Sequence, residues 1–236
     1  MSTRLIFLLA AVTLLMTGCA TGGGETPEVR RLHARDAYER GVAAFRDKQA
    51  SQALAAFREA IDTDPSVAIY PNALGLLYLL ELQRPDLALE QFTKATGADP
   101  RFAEAHVNTG VALAEQRRWE EAVAAYRTAL ALPTLASSYV AYNNLGLALY
   151  NLKRLEEAEQ ALRFAITLES AEEPAYYHLG LVLAAEGRAE EAKMVFRRAR
   201  ELGPESPFGE AAAERLRAMG EVVPETPRTP PKGATK

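Results

Sequence analysis

Small and apolar residues recur along this chain at a fixed interval. A glycine preceded by Leu, Thr or Arg returns at Gly41, Gly75, Gly110, Gly146 and Gly180, at spacings of 34, 35, 36 and 34 residues. Twelve or thirteen residues after each glycine comes an alanine: Ala53, Ala88, Ala122, Ala158 and Ala192. Four positions on stands a large apolar residue (Phe57, Phe92, Tyr126, Leu162, Phe196), and three more bring a second alanine (Ala60, Ala95, Ala129, Ala165, Ala199). Proline closes most units, at Pro65, Pro100, Pro133 and Pro204, with Ser170 in the fourth. Inside each unit the apolar residues fall at helical steps, which predicts two amphipathic helices of about 14 residues. The glycine of the first and the alanines of the second are small, so the two helices can approach closely. The large apolar residue between the alanines fills the space beside them. Glu120-Glu121, Glu156-Glu157 and Glu190-Glu191 fall in the first turn of a second helix, where the helix dipole favours acids. A helix pair cannot bury its own apolar face, so the units must stack. The predicted fold is all-α, a superhelix of five helix-turn-helix units.

Three departures from the pattern carry expectations. Arg40 stands where Leu is expected, which suits an N-terminal cap. Unit two gains a residue near Arg84-Pro85, which lengthens the turn between its helices. The junction Pro133 to Ser138 gains two residues and is a place for the stack to bend. A further amphipathic helix over Phe208 to Met219 covers unit five.

The two ends of the chain follow other patterns. Behind Arg4, residues Leu5 to Met16 are almost unbrokenly apolar. About a dozen such residues are too few for a membrane-crossing helix, which needs roughly 20, and fit the core of a secretory signal. The run ends Met16-Thr17-Gly18-Cys19. Cys19 is the only cysteine, so the fold has no disulfide to lean on. The stretch ATGGGETPE after it has nothing to bury and reads as a flexible tether. From Val222 the proline density forbids helix, and the tail reads as disordered. The expected organisation is a signal over 1–18, Cys19 and tether over 19–33, the repeat domain over 34–220 and a Pro-rich tail over 221–236.

Composition narrows the function. A net charge of −4, more negative once Arg4 leaves with the signal, argues against nucleic acid and acidic substrates. His33, His106 and His178 fall in different units without a carboxylate or cysteine at ligand spacing, so no metal site is expected. No Gly-rich phosphate loop and no nucleophile elbow occurs. Hence no catalytic residue, cofactor or small-molecule substrate is expected, and the chain does not read as an enzyme.

Two resemblances add to this reading. Met16-Thr17-Gly18-Cys19 resembles the lipobox of bacterial lipoproteins, with Met where Leu is usual. That implies lipidation of Cys19, cleavage before it and acylation of the new amine, and two or more acyl chains anchor a protein stably. Ala20, rather than Asp, follows the cysteine, which implies the periplasmic face of the outer membrane. The repeat itself resembles the tetratricopeptide repeat, whose period is 34 and whose signature ends in Ala, Phe, Ala, Pro; the match runs from Ala34 to Pro204. In that family's scheme the concave face takes positions two and three before the glycine and one and four after it. Here these include Asn72 and Leu76, then Val107, Asn108 and Val111. Units four and five add Asn143, Asn144, Leu147 and Tyr150, then Tyr177, His178 and Leu181. The implied groove has an apolar floor beside an amide row able to bond a ligand's backbone. The other reading of the same residues is packing between helices, with the asparagines incidental. Tyr139, Tyr142, Tyr150, Tyr176 and Tyr177 are open to the same two readings.

A lipobox, a short tether and five such repeats together resemble the pilotins of type IV pilus secretins, the PilF, PilW and Tgl group. The resemblance implies a lipid-anchored scaffold that binds a secretin protomer and promotes its outer-membrane assembly and multimerisation, in support of pilus biogenesis and motility. The alternative is a scaffold for another envelope machine, such as β-barrel assembly or peptidoglycan synthesis.

Overall fold

The structure, a computed structural model, describes residues 25–224. The signal, Cys19 and residues 225–236 lie outside the described residues. Eleven helices follow one another within them, and no strand is present among the described residues. They are α1 (Pro27–Arg46), α2 (Ala50–Thr63), α3 (Ile69–Leu80), α4 (Pro85–Ala98), α5 (Ala103–Glu115) and α6 (Trp119–Leu130). Then come α7 (Ser138–Asn151), α8 (Leu155–Leu168), α9 (Glu173–Ala185), α10 (Ala189–Leu202) and α11 (Pro207–Ala218). Ten of them form the five expected pairs.

Each pair is locked by one steric fit. A methyl group on Gly41, Gly75, Gly110, Gly146 or Gly180 would overlap the side chain of Phe57, Phe92, Tyr126, Leu162 or Phe196, respectively. The alanines flanking these rings, among them Ala53, Ala88, Ala122, Ala192 and Ala199, are fully buried. The first helix therefore seats a large side chain directly on its backbone.

The turns inside the units repeat as closely. Lys48, Arg117 and Lys153 sit at φ of 58°, 59° and 61°, and Gly187 takes the same place at 80°. This left-handed residue lets the next N–H bond back five residues: Gln49 to the Ala44 carbonyl (2.8 Å), Arg118 to Leu113 (2.9 Å), Arg154 to Leu149 (3.0 Å) and Arg188 to Leu183 (2.9 Å). Such bonds satisfy carbonyls that a helix end leaves free. In unit two the left-handed residue is Gln83, and Arg84 bonds back six residues to Tyr78 (2.8 Å). The extra residue expected near Arg84-Pro85 is absorbed here. The arginines then clamp the second helix: Arg118 pairs with Glu121, Arg154 with Glu157 and Arg188 with Glu191, each through two hydrogen bonds of 2.6–2.8 Å.

Curvature follows from which helices meet. The backbones of successive first helices approach one another, α1 to α3, α3 to α5, α5 to α7 and α7 to α9. Those of successive second helices do not, among the described residues. They reach across only by long side chains, such as Arg127 to Glu157 at 2.7 Å. The first helices thus crowd onto the inner face of the superhelix and the second helices fan out on the outer one.

The ends of the stack fit the expected caps. Arg40 is exposed and bonds Asp36 and Glu59, whereas its counterparts Leu74, Leu145 and Leu179 are buried. Helix α11 begins with Ser206 capping Gly209 N–H (3.0 Å) and buries Ala212, Ala213 and Leu216. The longer junction before α7 is tied to the preceding unit by the Thr134 hydroxyl, which donates to the Arg101 carbonyl at 3.1 Å.

Two boundaries fall elsewhere than the sequence suggests. Helix α1 starts at Pro27, so residues 27–33 are helix and not tether. Thr26 caps it by accepting from Val29 N–H (3.3 Å), and Pro27 takes the first turn, where its missing N–H costs nothing. Residues 221–224 lie against the fold. Glu221 pairs with Arg197 (2.7 and 2.8 Å), Val223 is buried, and the Pro224 carbonyl accepts from Arg200 (2.6 Å). Proline forbids a helix there but not an extended strap.

Candidate partner-binding groove

The inner face is built from α3, α5, α7 and α9, and its chemistry is unusual in one respect. These four helices contain no lysine or arginine; their acids are Glu104, Glu115 and Glu173. Leu76, Val111, Leu147 and Leu181 recur one residue after the seated glycine. All four are half-buried, and Leu76, Val111 and Leu181 pack one side against the core.

The amide row divides into bonds between units and free groups. Asn72 is buried and its oxygen accepts from Asn108 Nδ2 at 2.9 Å, tying α3 to α5. Asn143 Nδ2 donates to the Asn144 oxygen (3.2 Å), and Asn143 Oδ1 lies 2.8 Å from His178 Nδ1, tying α7 to α9. His178 is only 7% exposed and meets Phe208 of α11 edge-on at 5.5 Å between ring centres. Burial pushes its pKa down to about 4, so the ring is neutral at ordinary pH. Asn72, Asn143 and His178, grouped by the sequence with the ligand-binding residues, are therefore joints of the stack. At 7% exposure Asn72 has little surface left for a ligand. Val107 is likewise buried. Tyr177 packs on Phe196 and Phe208 at 5.8 and 5.7 Å, while Tyr150 is half-buried with the Lys153 ammonium 5.2 Å from its ring centre. Asn108 Oδ1 and Asn144 Nδ2 keep no protein partner among the described residues.

Val111, Asn144 and Leu147, with Ala114 four residues after Gly110, come together with four residues that the groove pattern does not include. A cavity of about 100 Å³ opens between α5 and α7, walled by these four and by Glu115, Trp119, Tyr126 and Ala148. Tyr126 is 1% exposed, yet no buried side-chain oxygen lacks a partner among the described residues, so its unpaired hydroxyl meets the cavity. Burial raises this phenol, and the nearby Glu115 carboxylate raises it further. Trp119 was findable: it is the only tryptophan in the chain and opens α6. Among the described residues no group of three His, Cys, Asp or Glu could hold a metal ion, and no described helix is long and apolar enough to cross a membrane.

A stack of helix pairs with a concave face lined by its first helices defines a repeat scaffold of the kind that holds protein partners. The profile of the tetratricopeptide repeat matches residues 74–137 and 143–207, more than half of the chain, and the chain belongs to that family. It is similar to the type IV pilus assembly protein PilF of Pseudomonas aeruginosa, with 38% identity over 122 residues, 50% of this chain and 47% of that protein. The chain thus spans about half the length of that relative. Among solved structures, Pseudomonas aeruginosa PilF superposes with a TM-score of 0.64 at 22% identity, over 80% of this chain and 93% of that one. PilW, described as a widely conserved type IV pilus biogenesis factor, superposes with a TM-score of 0.66 at 21% identity, over 78% and 92%. MamA gives 0.63 at 25% identity, over 70% and 95%. At such identities the structural likenesses speak for the fold.

Proposed function

We propose that this chain is a lipid-anchored scaffold of type IV pilus biogenesis, a pilotin that holds a secretin protomer in its concave face and promotes multimerisation of the secretin in the outer membrane. The observation that carries the reading is the inner face of α3, α5, α7 and α9: half-buried leucine and valine in register, free amide edges and no cation. Such a surface suits an amphipathic segment that must be kept from collapsing until its neighbours in the ring replace the scaffold. The similarity to PilF supports the pilus assignment, and the lipobox ending at Cys19 supports attachment to the outer membrane at its periplasmic face.

The test is complementation. Cells lacking the gene should lose the heat- and detergent-resistant secretin multimer and pilus-driven motility. The wild-type chain should restore both. Cys19→Ser should lose its palmitate label, fractionate away from the outer membrane and restore neither. A normal multimer in the deleted strain, with loss of some other envelope complex, would turn the reading toward β-barrel assembly or peptidoglycan synthesis.

A further inference from the structure

The cavity between α5 and α7 does not come from the repeat. Where unit three has Glu115, the other units have Arg46, Leu80, Asn151 and Ala185; where it has Trp119, they have Ala50, Pro85, Leu155 and Ala189. The Tyr126 place is Phe57, Phe92, Leu162 and Phe196 elsewhere. A carboxylate, an indole and a phenol hydroxyl therefore meet at one point of an otherwise apolar face. None of the three polar groups has a hydrogen-bond or ion-pair partner among the described residues. The acids of this chain are commonly paired, as Glu121, Glu157, Glu159, Glu191 and Glu221 are, and Glu115 is not. The Arg118 side chain close by is already held by Glu121 and Gln116.

We propose that this cavity seats one lysine or arginine side chain of the bound partner segment, which makes unit three a charge-reading subsite within the groove. The inference rests on the groove reading above. The alkyl stem of the cation lies along Val111, Ala114 and Leu147, as long basic side chains do on apolar surface. Its head meets the Glu115 carboxylate in a charge-assisted hydrogen bond, the Tyr126 hydroxyl oxygen as a second acceptor, and the Trp119 ring as a cation–π face. Asn144 Nδ2, at the rim, is left to bond the partner's backbone. A cavity of about 100 Å³ has room for one such side chain.

Random twelve-residue peptides displayed on phage, selected on the purified protein and in parallel on Glu115→Gln, test this. Glu115 is exposed, so the substitution leaves the fold intact, which circular dichroism checks. The proposal expects a lysine or arginine at a fixed place in the wild-type consensus and its loss from the Glu115→Gln consensus. A selected peptide titrated against the Trp119 fluorescence should bind about tenfold more weakly to Glu115→Gln. It should weaken about as much when its cation is replaced by norleucine, and added salt should weaken it too. An apolar consensus shared by wild type and Glu115→Gln would overturn the cation and leave the groove standing. Peptides bound equally well by a Leu147→Asp, Leu181→Asp variant would overturn the groove itself, and failure to select any peptide would overturn both.

Discussion

A single residue decides whether two helices of this protein can touch. Gly110 and Tyr126 occupy space that a methyl group and a ring cannot share. Gly110→Ala should therefore cost about 1–3 kcal/mol through overpacking, read as a lower urea midpoint with an unchanged helical spectrum; Ala122→Leu, at a fully buried position, should cost as much. An unchanged midpoint in either would mean that the contact is looser than described. These fits were legible in the sequence because sterics repeat: a glycine faces a large apolar side chain at the same place five times. The cavity of unit three was not legible for the converse reason. Glu115, Trp119 and Tyr126 each depart from their column, and a reading that averages over columns passes over them.

His178 gives the residue scale a pH signature. Its folded pKa, about 4, lies below its ordinary 6.5, so the unfolded chain binds the proton more readily. The contribution is complete above pH 6.5, is lost as pH falls toward 4 and declines no further below that. At 1.36 kcal/mol per unit, stability should drop by about 2 kcal/mol between pH 7.5 and 5 relative to His178→Gln. Urea titrations of both proteins at the two pH values check this. Parallel pH dependences would place a solvated histidine at 178.

At the scale of elements, the ends are governed by caps and straps more than by apolar pattern. The sequence puts the tether up to residue 33 because the stretch after Cys19 is rich in Gly, Thr and Pro and the repeat pattern begins only at Ala34. Thr26 and Pro27 start the helix earlier through hydrogen bonding and a fixed φ, which a hydrophobicity pattern does not register. The Arg-x-x-Glu clamps are likewise invisible to the helix dipole, which accounts for the paired glutamates but not for the arginine three residues before the second of them. Residues 221–224 are a further case, since proline excludes helix without excluding contact. A chain ending at Gly220 loses the buried Val223 and the Glu221–Arg197 pair. Burial of a valine is worth about 1.5–3 kcal/mol, so this truncation should lower the melting temperature, and an unchanged melt would show that the strap adds nothing.

Over the whole molecule, function follows from which helices crowd together. Because first helices meet and second helices splay, every unit presents the residue after its seated glycine to one continuous surface. The fold and the apolar floor could be read from a 34-residue period, since a repeat fixes both packing and facing. The division of the amide row could not, because Asn72 and Asn144 look alike until the neighbour of each is known. The central claim, that this concave face holds the partner, is tested most directly by Leu147→Asp combined with Leu181→Asp. Both residues have one face in solvent, and charge there opposes the loss of water that binding requires. The double variant should keep wild-type circular dichroism and wild-type protein levels in cells, and the resistant secretin multimer should disappear. A full multimer alongside a stable, correctly folded double variant would contradict the account and move the binding surface off the inner helices.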